Sequence, residues 1–199
     1  MNATALFVSI FIKFFFLLTP FFVMTMFLTL TADMDRREQR RIALRVTFAV
    51  SVIAMVLLFF GNAIFNVFGI TLDAFRIGAG ALLFLSSVDL VRSSRSDKIV
   101  AEGDISVVPL AIPIAVGPAT TGALLVLGAG LHGTTHKLIG CGALLSAVVC
   151  VGALLLASSA MERLIGRQGL IILSKITGLI LAGLAAQIVF TGVKNFLGL

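Results

Sequence analysis

From Leu6 to Leu30 the chain reads LFVSIFIKFFFLLTPFFVMTMFLTL, with Lys13 as its one charge and Thr19-Pro20 as its one interruption. A helix that crosses the hydrocarbon of a bilayer needs about 20 predominantly apolar residues. This run is long enough to cross and too apolar for a solvated surface helix. It has no basic residue ahead of Lys13 and no convincing small-residue cleavage site, so it reads as a retained span rather than a signal peptide. Lys13 sits inside the run, which leaves two readings: its side chain snorkels to the outer interface, or the span starts near Phe14 with residues 1–12 on the surface.

The pattern recurs along the chain. Further apolar spans are predicted at about Ile42 to Phe60, Ala74 to Val91, Val107 to Gly130, Leu138 to Ala160 and Leu170 to Gly192. Six spans of about 20 residues use most of the 199-residue chain and exclude a soluble catalytic domain. Composition agrees: 59% of residues are hydrophobic and 12% charged, against roughly 25% charged in soluble domains. The expected fold is an all-α membrane protein, residues 1–199 forming a single six-span domain.

The net charge of +6 is distributed in short gaps between apolar runs, which is not the single basic face of a nucleic-acid binder. It reads as topology. Arg36, Arg37, Arg40, Arg41 and Arg45 lie around the first connection, Arg92, Arg95 and Lys98 around the third, and Arg163, Arg167 and Lys175 around the fifth. Lys13, Arg76, Lys137 and Lys194 fall singly on the other side. The positive-inside rule then makes the odd connections cytoplasmic and turns both termini outward, in the cytoplasmic (inner) membrane. The 17 Phe residues come without Trp or Tyr, so an aromatic interfacial belt of the usual kind is missing. Cys141 and Cys150 read as small buried hydrophobes.

A shift of 98 positions carries Pro20 onto Pro118, Gly80 onto Gly178 and Asp89 onto Gln187, and lays three spans on three. Three is odd, so the second copy (about 99–199) enters the membrane opposite to the first (about 1–98), the inverted-repeat plan of many secondary transporters. Pro20 interrupts the first span, and Pro109, Pro113, Gly117 and Pro118 punctuate the fourth. Each proline removes a backbone donor, and such breaks at membrane depth persist only where protein or a watery cavity supplies partners. A break exposes the N–H groups and positive dipole end of a half-helix, which attract a carboxylate. The candidate substrate-binding residues are therefore Thr19, Pro20, Thr25, Gly117, Pro118, Ala119, Thr120 and Thr121, with the threonines as hydroxyl donors or as back-bonding groups in their own helices.

Four polar residues in or beside the spans are candidates for gating or coupling. Asp89 is either a proton or cation coupling group or an interfacial carboxylate near Arg92, since charge at a span end costs little. Asp73 and Arg76 suit a helix-start pair or a gate contact, with Asp73 also placed to cap its helix. Gln187 suits interhelix hydrogen bonding or the pathway itself. Gly78, Gly80, Gly122, Gly128, Gly130, Gly178 and Gly183 suit close helix packing. His132 and His136 are four apart without an acidic residue or cysteine beside them, and no metal or cofactor is expected.

These residues resemble the MarC family of six-span bacterial and archaeal membrane proteins. The likeness rests on Asp73-Ala74-Phe75-Arg76-Ile77 leading into a Gly-rich third span that ends near Asp89. It rests also on Pro109-Leu110-Ala111-Ile112-Pro113 followed by Gly117-Pro118, and on a sixth span carrying Gly178 and Gln187. The resemblance implies a transporter, not an enzyme, with discontinuous first and fourth spans and a substrate such as glycine or alanine. Where the family typically has Asn-Pro followed by Ile-Gly, this chain has Thr19-Pro20-Phe21-Phe22, and Ala119 stands where glycine is common. The expectation is a secondary transporter of a small neutral amino acid by alternating access, with H⁺ or Na⁺ as candidate coupling ion. Efflux of larger amphiphiles and a structural or regulatory membrane role are the alternatives; oligomeric state is not readable.

Overall fold

The computed structural model describes residues 2–92, 111, 115–131 and 133–198, with the backbone alone at Asn62. Pro109 and Pro113, Arg95 and Lys98, and His132 lie outside the described residues. The described chain is all-helical: α1 Ala3–Leu17, α2 Pro20–Leu30, α3 Arg36–Phe68, α4 Leu72–Arg92, α5 Pro118–Ala129, α6 Thr134–Leu156 and α7 Ser158–Phe196.

Five segments are long and apolar enough to cross a membrane: Ala3–Leu30, Arg36–Gly61, Leu72–Arg92, Thr134–Leu156 and Ser158–Phe196. Pro118–Ala129 is apolar but short, and the residues where a fourth span is expected to begin lie largely outside the described ones. Two connections are shorter than expected. α3 continues well past Phe60 because nothing in Gly61 to Phe68 breaks a helix, and it stops at Gly69, whose φ of 63° is the left-handed stop that glycine adopts without strain. The basic fifth connection narrows to a kink: α7 is two helical stretches that meet at Gly166, φ 71° and ψ 165°, between Arg163 and Arg167.

Local sequence sets the helix starts. Asp35 accepts the Glu38 backbone N–H at 2.7 Å and caps α3. Pro20 and Pro118 occupy the first positions of α2 and α5, where a missing N–H costs nothing. At α4 the cap is Thr71, whose hydroxyl accepts from Ala74 N at 3.2 Å; Asp73, expected in that role, already lies inside the helix.

Helix pairs come together through small residues. α5 lies on α3 where Gly61 and Gly128 leave room for the backbone of Leu125 and Leu58, and α6 meets α3 at Gly152 and Thr47. α4 packs antiparallel on α7 at Gly80, Gly178 and Gly192. α2 packs on α7 and α6, as α5 packs on α4 and α3. Gly78 and Gly183, expected at contacts, instead face open space. Buried hydroxyls return to their own helices, Thr31 to Phe27 O at 2.7 Å and Thr177 to Leu173 O at 3.0 Å, so few polar groups are left unpaired inside. The outer surface is apolar, with Phe48, Phe68 and Phe190 each more than two-thirds exposed, as a lipid-facing surface requires. Cys141 and Cys150 are free and half-buried rather than fully buried.

Candidate functional site

The helix of the first apolar run is interrupted at Leu18 and Thr19. α1 ends at Leu17, and Leu18 N and Thr19 N bond back to Phe14 O and Phe16 O, both at 3.0 Å. Thr19 then takes φ 46°, ψ 56°, a left-handed conformation that costs a threonine about 1 to 3 kcal/mol. Its carbonyl receives Val23 N at 3.0 Å and opens α2 at Pro20. The matching point in the second half is Gly117, extended at φ −80°, ψ 177°, whose carbonyl receives Thr121 N at 2.8 Å and opens α5 at Pro118. Neither helix start has a side-chain cap. Because proline supplies no N–H, the free donors are the backbone amides of Phe21 and Phe22 in α2 and of Ala119 and Thr120 in α5.

These two helix starts share a cavity of about 300 Å³. Its walls include Thr19 and Phe22 of the first run, Gly117 to Thr120 of the second, and Ser86 and Asp89 of α4. Five of the eight candidate binding residues, Thr19, Gly117, Pro118, Ala119 and Thr120, therefore come together with Asp89. Pro20, Thr25 and Thr121 do not line it. Thr25 donates its hydroxyl to Phe22 O at 2.7 Å in its own helix, and Pro20 is buried. Asp89 is exposed towards this space and makes no ion pair with Arg92 among the described residues.

A second cavity, of about 330 Å³, lies towards the other end of α1 and α5. Lys13, Arg76, His136 and Gln187 contribute to it, so Lys13 borders a protein cavity rather than lipid alone. Arg76 is held by Asp73 at 2.5 Å, and Asp73 also accepts from Asn195 Nδ2 at 3.2 Å, which ties α4 to α7 at this end. Leu17 belongs to the walls of both cavities and is 2% exposed; its carbonyl accepts the Thr120 hydroxyl at 3.5 Å. The bond is long and correspondingly weak. Sequence reading missed Leu17 and Ser86, and marked Phe22 only as a departure from the family pattern. Ser86 had a signal, since three positions before Asp89 is the same helix face; Leu17 had none, because one leucine among many carries no mark.

An all-helical bundle with five membrane-length segments and an apolar outer surface defines a multi-pass integral membrane protein. The model of the MarC family, described as MarC family integral membrane protein, matches residues 4–197, and the chain belongs to that family. UPF0056 membrane protein MJ1677 of Methanocaldococcus jannaschii is 34% identical over 96% of this chain and 97% of its own. A UPF0056 membrane protein of Aquifex aeolicus is 30% identical over 96% and 94%, and UPF0056 membrane protein YhcE of Escherichia coli 26% over 93% and 90%. No solved structure matches.

Proposed function

We propose that the chain is a secondary transporter that carries a small neutral amino acid, such as alanine or glycine, across the cytoplasmic membrane by alternating access. The observation that carries this reading is the cavity in which two uncapped helix starts meet Asp89. Backbone amides at a helix start favour an anionic group, and the carboxylate of the amino acid is matched to them. Asp89 on another wall is matched to a positive charge, either the ammonium group of the same zwitterion or a coupling H⁺ or Na⁺. A volume of about 300 Å³ lies at the lower edge of small-molecule sites, which favours a small solute over a large amphiphile.

The inverted-repeat reading is supported by several spacings of 98. Pro20 and Pro118 begin α2 and α5, Arg36 and Thr134 begin α3 and α6, and the packing partners of α2 and α5 correspond under the same shift. Leu83, Asp89 and Leu90 are paralleled by Leu181, Gln187 and Ile188, and Asp89 with Leu90 lines one cavity while Gln187 with Ile188 lines the other. Two cavities related in this way, with Leu17 common to both, are what a carrier needs to expose one site to either side in turn. Arg36, Arg37, Arg40 and Arg163 gather at one end of the bundle and Arg76 and Lys13 towards the other, which supports cytoplasmic odd connections and outward termini.

Thermal unfolding of the purified protein with added alanine or glycine tests the reading, because a ligand bound only by the folded state raises the melting temperature. The expected result is a saturable rise that Gly117→Leu removes. A rise of equal size in that variant counts against the site.

A further inference from the structure

We infer that the arginine-lined cavity between the start of α3 and the start of α7 binds the phosphate of an anionic phospholipid. The cavity has a volume of about 610 Å³ and, among the described residues, shares none with the Thr19 and Gly117 site. Arg36, Arg37, Arg40 and Arg163 all contribute to its wall, and among the described residues no carboxylate does. Four arginines, all with exposed side chains, place like charge on the wall of one cavity, which favours the entry of an anion.

Two of the four occupy an unfavourable place. Arg36 and Arg37 are the first two residues of α3, at the helix end whose dipole is positive and where cations are disfavoured. Asp35 and Glu38 offset part of this from the cap and first turn, but neither lines the cavity, and neither does Glu162 beside Arg163. Topology alone does not require the arrangement. The positive-inside rule is satisfied by arginines anywhere near the span ends, whereas here Arg163 converges on a cluster more than 120 residues earlier in the chain.

Gln39 and Ser159, which also line the cavity, are hydrogen-bonded to each other. Gln39 donates to Thr31 O at 2.9 Å and accepts the Ser159 hydroxyl at 3.4 Å, which joins the turn before α3 to the first residues of α7. The guanidinium fork matches phosphate oxygens two at a time. Leu156 and Leu164 also line the cavity and are 46% and 81% exposed, so apolar surface adjoins the cationic wall. That pairing fits a headgroup phosphate with its glycerol and acyl chains alongside, and basic pockets between membrane helices bind headgroups in this manner. A free phosphate would leave the leucines uncovered.

The test follows the melting of the full-length protein in neutral detergent by circular dichroism as phosphatidylglycerol, phosphatidylcholine or inorganic phosphate is added. Phosphatidylglycerol is expected to raise the melting temperature saturably, and the other two are not. In Arg36→Gln/Arg40→Gln/Arg163→Gln the concentration needed rises by about tenfold or more. Lys137→Gln/Lys175→Gln/Lys194→Gln, which removes equal charge elsewhere, responds like the wild type. Should the triple arginine variant not fold, Arg163→Lys keeps the charge and loses the fork, and a several-fold weaker response is expected. A response to phosphatidylcholine equal to that for phosphatidylglycerol, or an undiminished response in the arginine variants, overturns the site. A matching response to phosphate makes it a site for soluble anions and overturns the lipid assignment.

Discussion

Gly80 and Gly178 stand 98 positions apart and are packed in the same way from opposite sides of one helix crossing. A β-carbon on Gly80 would lie 2.6 Å from Val189 Cγ2 and 3.1 Å from the Ala185 carbonyl oxygen. One on Gly178 would lie 2.9 Å from Val91 Cγ2 and 3.1 Å from the Ser87 carbonyl oxygen. Ala185 and Val189 are themselves Ser87 and Val91 moved by 98, so each glycine meets the counterparts of the other's neighbours. The α4/α7 contact is thus self-complementary in the sense of a two-fold interface, although it lies within one chain.

Gly80→Ala and Gly178→Ala are therefore expected to destabilise the protein by similar amounts. Overpacking costs about 1 to 3 kcal/mol, and the helix preference for alanine over glycine returns at most about 1. Gly78→Ala, with nothing within 4 Å of the new carbon, is expected to be neutral or slightly stabilising. Thermal unfolding in detergent compares all three, and equal melting temperatures would contradict the packing account.

Gly117→Leu places a bulky side chain at the wall where α5 begins, while its extended backbone accepts any residue without strain. The expectation is loss of alanine binding by at least tenfold with normal membrane insertion and helix content. Isothermal titration together with circular dichroism reads both, and a variant that loses helix as well as binding would show a structural role instead.

Asp89→Asn keeps the shape of the cavity and removes its carboxylate. Exchange of substrate across the membrane is expected to continue at reduced affinity, whereas uptake driven by an imposed H⁺ or Na⁺ gradient is expected to fall to the undriven level. Retained gradient-driven accumulation would assign coupling elsewhere.

The Asp73–Arg76 pair, with side chains 29% and 17% exposed, is only partly screened by solvent, and Asn195 adds a hydrogen bond to the same carboxylate. Asp73→Asn is expected to cost about 1 kcal/mol or less, as for exposed pairs, and the loss shrinks as salt is raised. A cost of several kcal/mol, unaffected by salt, would mean that the pair is effectively buried.

Apolar runs, prolines and basic residues are strong local signals, and the helical membrane architecture and most span positions were legible from them. So were the two helix starts at Pro20 and Pro118, because proline at a first helical position is a local rule. Helix ends without punctuation were not: α3 passes Phe60, and the expected fifth connection is reduced to the kink at Gly166, since the arginines on either side of it form helix well. At the site, Thr19, Gly117 and Asp89 carry chemical marks. The retreat of Thr25 into its own helix depends on a rotamer, and the shared wall at Leu17 on tertiary packing, and neither leaves a trace in the order of residues.

Counterflow bears most directly on the transport reading. Proteoliposomes preloaded with unlabelled alanine or glycine are exposed to the labelled amino acid outside, beside protein-free liposomes and the Gly117→Leu protein. The account predicts transient accumulation of label in the wild type alone, with no ion gradient needed. Label at the protein-free level in vesicles holding correctly folded wild-type protein would contradict it.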